Sequence, residues 1–236
     1  MRALPRFADH TDAEAAPIEA MKRSGVTRAV QSILHEGQSA APPHTLLSGW
    51  AYRFKTLSDG RRQILNFLLA GDFIRVQQKM HDASAHGVKA LTDVVPCVVQ
   101  RDALWELHRS SPTFGFAVTR LTAREESVVD DTLLSVGCRN AEERVATLLF
   151  MFYKRAMALQ PSDDAPRFGI PFPLTRKHIA DGPGLSLVHT HKSLRKLERR
   201  GLHHIEDGRL CLLDLHALTR IADLYGDGRP ARRPLI

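Results

Sequence analysis

The stretch LTRKHIADGPGLSLVHTHKSLRKLERRGL, from Leu174 to Leu202, carries hydroxyls, histidines and cations at helical spacing. Residues of these types hold phosphate oxygens and reach base edges, whereas they make no nucleophile with a base beside it. Arg176 and Lys177 open one short segment, and Val188, Lys192, Arg195, Lys196 and Arg199 lie along a second. Thr190, Leu194 and Leu197 recur on a separate face of that second segment, so one side packs while the others meet something negative.

The elements that hold these residues follow from their neighbours. Thr175 is placed to cap a first helix with an apolar edge of Leu174, His178 and Ile179, and Gly182-Pro183-Gly184 ends it. Ser186 caps a second helix. Two short helices at a tight turn, the second basic, have the geometry that lays a recognition helix in a DNA major groove. Short strand-like runs at 202–205 and 209–213 flank Asp207-Gly208, a dipeptide suited to a tight hairpin, which predicts a wing. Residues 168–173 are extended and fit to pair with that wing. Asp214 can cap a last helix carrying Leu215, Leu218, Ile221, Ala222 and Leu224.

Charge divides the chain in the same place. Residues 165–236 hold 13 Lys/Arg against 7 Asp/Glu, whereas residues 1–164 hold 20 against 19, within a net charge of +7. A basic module follows a nearly neutral one, which implies that the first part does something other than grip phosphates. The 236 residues allow two cores. The longest apolar runs, at 64–69 and 145–153, are too short to span a membrane, and no apolar leader opens the chain, so a cytoplasmic location is expected. Cys97, Cys138 and Cys211 are odd in number and widely spaced, which fits neither a disulfide framework nor a metal or cluster site and predicts buried, inert thiols. No Gly-rich phosphate loop and no metal-ligand spacing occurs, so neither an enzyme, a metal nor a cofactor is expected.

Upstream, residues 46–57 and 62–69 alternate as strands around the Asp59-Gly60 hairpin, and Ala70-Gly71-Asp72 turns the chain again. Further strands are predicted at 87–92 and 96–100, giving an all-β roll in about the first hundred residues. Residues 111–136 read as one long helix, with Phe114, Val118, Leu121 and Val128 spaced to form a pairing seam. Asn140 followed by Glu143 makes a capping box for the next helix, whose apolar face is Val145, Leu148, Leu149, Phe152 and Met157. Residues 160–166 read as a loop and the clearest break between units.

Taken in order, LLSGWAYRFKTLSDGRRQILNFLLAGDFI (Leu46 to Ile74), AEERVATLLF (Ala141 to Phe150), FPLTRKHIAD (Phe172 to Asp181) and GLSLVHTHKSLRKLERRGL (Gly184 to Leu202) resemble the Crp/Fnr superfamily of bacterial transcription regulators. The resemblance covers nearly the whole chain. It implies an α+β fold of three parts: a cyclic-nucleotide-binding-like β-roll (residues 1–110), a long dimerisation helix (111–138) and a winged helix-turn-helix (139–236). It also implies a homodimer on a palindromic site in double-stranded DNA, with RNA polymerase as a further partner.

Carried over residue by residue, Thr175, Arg176 and Lys177 become phosphate contacts at the first helix, and Ser186 and His189 further backbone contacts. Base readout falls to Leu187, Val188, His191 and Lys192. Val188 stands where better-known members have an acid, and Lys192 where they have an arginine, so the half-site should differ. Valine can touch a thymine methyl but cannot accept from cytosine, and lysine lacks the bidentate fork that arginine offers guanine. In members that bind cyclic AMP, a glycine-glutamate pair and an Arg-Ser-Ala-like step hold the ribose and phosphate. Here those positions are Arg75 with Val76 and Ser84 with Ala85, so cyclic AMP is not expected in the usual mode. The alternative is a regulator gated by a ligand or by haem in the roll, for which Met80, His81, His86 and His108 are the available ligands.

Overall fold

The computed structural model describes residues 22–39, 42–74, 83–99, 109, 112–159 and 169–224. Two four-stranded antiparallel sheets form the N-terminal roll. One runs in the order β1 (Lys22–Ser24), β8 (Val95–Val99), β3 (His44–Ser48), β6 (Phe73–Ile74). The other runs β2 (Ser32–Leu34), β7 (Gly87–Ala90), β4 (Ala51–Thr56), β5 (Arg62–Leu68). Leu34, Leu46, Ala51, Leu68, Ile74, Val88, Ala90 and Val94 fill the space between them and are buried.

The expected continuous strand at 46–57 is two strands. Gly49 adopts φ +83°, and a side chain there would run into the Asp93 carbonyl, so the chain turns between β3 and β4 and crosses from one sheet to the other. Hydrophobic alternation continues through that corner and conceals it. The Asp59-Gly60 hairpin forms as expected, with Gly60 at φ +83° and β4 paired antiparallel to β5.

Helix α1 (Pro112–Cys138) opens with proline, whose missing N–H costs nothing at a helix start. It runs along the roll, where Glu125 accepts a 2.9 Å bond from Arg53, and both side chains are about nine-tenths buried. Helix α2 (Ala141–Met157) has the expected capping box: Asn140 accepts from the backbone N–H groups of Glu142 and Glu143, and Glu143 accepts from the Asn140 N–H at 2.9 Å. Such a cap is worth about 1 kcal/mol.

Helix α2 is the central post of the molecule. Its Phe152 stacks on Trp50 of the roll at 4.5 Å and meets Phe172 edge-on at 5.0 Å, so one apolar cluster joins both halves. Arg155 reinforces the joint, bonding Asp72, the Asn66 Oδ1 and the Phe67 carbonyl. Helices α3 (Arg176–Asp181), α4 (Leu187–Arg199) and α5 (Leu215–Ile221) then pack beside a three-stranded sheet, β10 (His203–Glu206), β11 (Arg209–Leu212), β9 (Ile170–Pro171). Among the described residues, no helix is long and apolar enough to cross a membrane.

Candidate nucleic-acid interface

Three caps fix the helices of the C-terminal unit. Thr175 Oγ1 accepts from the His178 N–H, Ser186 Oγ accepts from the His189 N–H, and the Asp214 carboxylate accepts from the Ala217 N–H. Each lies where the sequence places it. Between α3 and α4, Pro183 blocks continuation while Gly184 at φ +66° turns the chain. Helix α4 is pinned by fully buried Thr190 and Leu197 and by buried Ser193. The wing forms with Asp207 at φ +48° and Gly208 at φ +70°, the two positive dihedrals of a tight hairpin, and β9 pairs with β11 as expected.

The cations of α4 divide into two groups. Lys196 and Arg200 turn inward to the Glu142 carboxylate of α2, Arg200 at 2.7 Å, and so clamp the helix to its post. Lys192, Arg195 and Arg199 are exposed, and among the described residues none has an ion-pair partner. With Val188 they form a line at spacings of four, three and four along one face. Leu187 and Val188 are 52% and 62% exposed side by side at the start of the helix. His191 is half-buried.

Around α3, Thr175, Arg176 and Lys177 are all exposed. Arg176 has no ion-pair partner among the described residues, whereas the Lys177 ammonium rests on Asp181 at 2.5 Å. Thr175 and Ser186 accept from backbone and also lie within 3.1 and 2.9 Å of the rings of His178 and His189. The structure therefore brings Thr175, Arg176, Lys177, Ser186, Leu187, Val188, His189 and Lys192 to the exposed side of one module. The wing tip, Glu206-Asp207, is acidic, which leaves the α4 stripe as the electropositive part.

The roll holds this module by its first helix. Arg62 of β5 donates to Asp181 Oδ2 from Nε at 3.1 Å and Nη2 at 2.7 Å, and to the Tyr52 hydroxyl at 2.8 Å. Gln63 donates to the Gly182 carbonyl at 2.7 Å, and the His178 ring lies 5.1 Å from that of Tyr52. Burial, then the Arg62 charge, pushes the His178 pKa down. Losing Asp181 leaves Arg62 without its carboxylate, whereas losing Arg62 leaves Asp181 only the exposed Lys177; removing one partner of a buried pair costs on the order of 3–5 kcal/mol. Sequence reasoning missed this docking, since its partners are 119 residues apart.

Four residues of α1 were expected to form its pairing seam: Phe114, Val118, Leu121 and Val128. The side chains of Phe114 and Leu121 are outside the described residues, and Val118 and Val128 are half-buried. The exposed apolar side chains of this helix are instead Phe116, Val129, Leu133 and Leu134. In the roll, Ser84 is buried and its hydroxyl donates to the His86 carbonyl, while Arg75, Val76, Met80, His81 and His108 lie outside the described residues, as does the 160–166 loop. His86 is half-buried before β7. Cys97 is buried as expected and Cys211 half-buried, but Cys138 is exposed, because α1 ends at that residue with the chain turning away toward Asn140.

Known proteins share both halves. Residues 27–111 match the cyclic nucleotide-binding domain and residues 143–221 the Crp-like helix-turn-helix domain. The chain is 31% identical to the nitrogen fixation regulation protein FixK of Bradyrhizobium diazoefficiens, over 78% of this chain and 75% of that protein. It is 29% identical to the transcriptional activator protein FnrL of Cereibacter sphaeroides, over 91% and 86%. The solved structure of FixK2 from Bradyrhizobium japonicum superposes with a TM-score of 0.76 at 24% identity, covering 87% of this chain and 99% of that one. A β-roll, a long helix and a capped, winged helix-turn-helix in this order, with that level of identity to FixK, identify the chain as a member of the Crp/Fnr family of transcription regulators.

Proposed function

We propose that this DNA-binding regulator acts as a homodimer on a palindromic promoter site, reading bases with Leu187, Val188, His191 and Lys192 and holding phosphates with Thr175, Arg176, Lys177, Ser186 and His189. The observation that carries the reading is the start of α4, where two exposed aliphatic side chains precede a line of free cations on a helix clamped from behind. Apolar contact there suits thymine methyl groups, Lys192 suits a base edge, and the arginines beyond it suit phosphates. Arg195 and Arg199 extend the phosphate-facing stripe.

The proposed organisation is a roll over residues 1–110, a dimerisation helix over 111–138 and a winged helix-turn-helix over 139–236. The exposed apolar side chains of α1 support pairing there, with Val129 and Leu133 one turn apart. The protein works in the cytoplasm as a regulator and not as an enzyme, and the activator names of relatives such as FnrL support recruitment of RNA polymerase. Cyclic AMP is not its effector in the usual mode. The Ser84 hydroxyl, whose proton is already given to the His86 carbonyl, supports this.

Duplex binding measured by fluorescence anisotropy across a salt series, with and without cyclic AMP, tests the proposal. Affinity should fall steeply with salt, and cyclic AMP should move neither affinity nor melting temperature. A saturable response at micromolar cyclic AMP contradicts the effector part; salt-independent binding contradicts the interface.

A further inference from the structure

A cleft of about 120 Å³ opens where β5, α1, α2 and the α3–α4 turn meet. Leu65, Val128, Val136, Leu148 and Met151 supply its apolar walls, and Gly182 and Pro183 close one end. A dry engineered cavity of roughly 150 Å³ accepts benzene, so this one has room for a short hydrocarbon chain.

Its polar groups are unevenly matched. Arg144 lies on the wall, and its guanidinium bonds only carbonyls: Nε donates to Arg139 at 2.7 Å, and Nη1 to Pro183 at a long 3.3 Å. Among the described residues no carboxylate pairs with it. Asp131 also lines the cleft, but it is exposed and pairs with neither arginine of the wall. Asn66, 9% exposed, leaves its Nδ2 without an acceptor, and Arg155 likewise leaves Nε unpaired. Buried donors without partners are rare, because each forfeits its hydration. The wall thus has one cation lacking an anion, beside residues whose inner donors are already short of acceptors.

We propose that this junction binds a small monocarboxylate with an aliphatic tail, the carboxylate on Arg144 and the tail among Leu65, Val128, Leu148 and Met151. A carboxylate brings a full opposite charge, where the Pro183 carbonyl offers Arg144 only a dipole at a long 3.3 Å, so binding draws the guanidinium off the turn. Arg144 is a link between the end of α1 and the helix-turn-helix; occupying it frees the turn and lowers DNA affinity. The gating half rests on the DNA-binding reading, whereas ligand binding does not.

The test is thermal melting of the full chain with butanoate, hexanoate and octanoate, with hexanol and hexylamine as controls, followed by duplex affinity at saturating acid. Hexanoate should raise the melting temperature saturably by a few degrees, the controls should not, and DNA affinity should fall several-fold. Arg144→Gln and the cavity-filling Met151→Trp should each abolish the shift, and Arg144→Lys should retain part of it. No shift with any acid, an equal shift with hexanol, or a shift that survives both Arg144→Gln and Met151→Trp overturns the site. A shift with unchanged DNA affinity overturns the gating.

Discussion

At the residue level, the exposed, unpaired cations of α4 are distinct from the two that clamp it to α2. Lys196 and Arg200 are spent on Glu142, so their loss should loosen α4 rather than weaken a DNA contact. Arg176→Ala should weaken binding to all sequences alike and reduce the salt slope by about one unit, as loss of one phosphate contact does. Lys192→Ala should cost about 1–3 kcal/mol at the preferred site and relax preference at one base pair per half-site. A panel of single-base operator variants at two salt concentrations distinguishes them; uniform weakening by Lys192→Ala makes Lys192 another phosphate contact. Histidines give the module an acid limit. Burial, only partly offset by the Leu194 carbonyl, pushes the His203 pKa below its ordinary 6.5, and His178 shifts the same way. The unfolded chain therefore binds more protons below that value, so stability is complete above it and declines as pH falls toward the lowered folded pKa values. Melting temperature should hold from about pH 8 to about pH 7 and drop below about pH 6.5. His203→Gln should flatten that drop; an unchanged acid slope assigns it elsewhere.

At the scale of elements, what was legible in the sequence was local. The caps at Asn140, Thr175, Ser186 and Asp214 and the hairpins at Asp59-Gly60 and Asp207-Gly208 depend on residues within a turn of one another, and each forms. The corner at Gly49 was hidden because a close approach to the Asp93 carbonyl, 44 residues away, and not a turn motif, demands it. Strands β1 and β2 are three residues each, too short for a period to show. Of the interface, the residue types were legible, but the sorting of α4 cations depended on Glu142 and the docking of α3 on Arg62, both distant in sequence. Helix α1 has apolar residues on more than one side, so spacing alone did not single out which of them stay exposed. Exposure favours Val129 and Leu133. Val129→Asp with Leu133→Asp should halve the mass seen in sedimentation and reduce operator affinity by at least tenfold; a full-mass dimer in that double variant moves the pairing surface away from this face.

At the scale of the whole molecule, the two halves share one apolar cluster around Phe152 and are held by Arg155, Arg62 and Gln63, so the roll grips the helix-turn-helix module by α3 and the turn after it. Residues Arg62 and Gln63 of the roll therefore lie directly against α3 and the turn that follows it. The central claim is that two copies present α4 to one face of a duplex. Selection of bound sequences from a randomised duplex pool by the full-length protein tests it most directly. The enriched sequences should be an inverted repeat with half-site centres about one helical turn, roughly 34 Å, apart, with altered preference at one position of each half when Lys192→Ala is used. A single unrepeated half-site, or no enriched sequence at all, would contradict it.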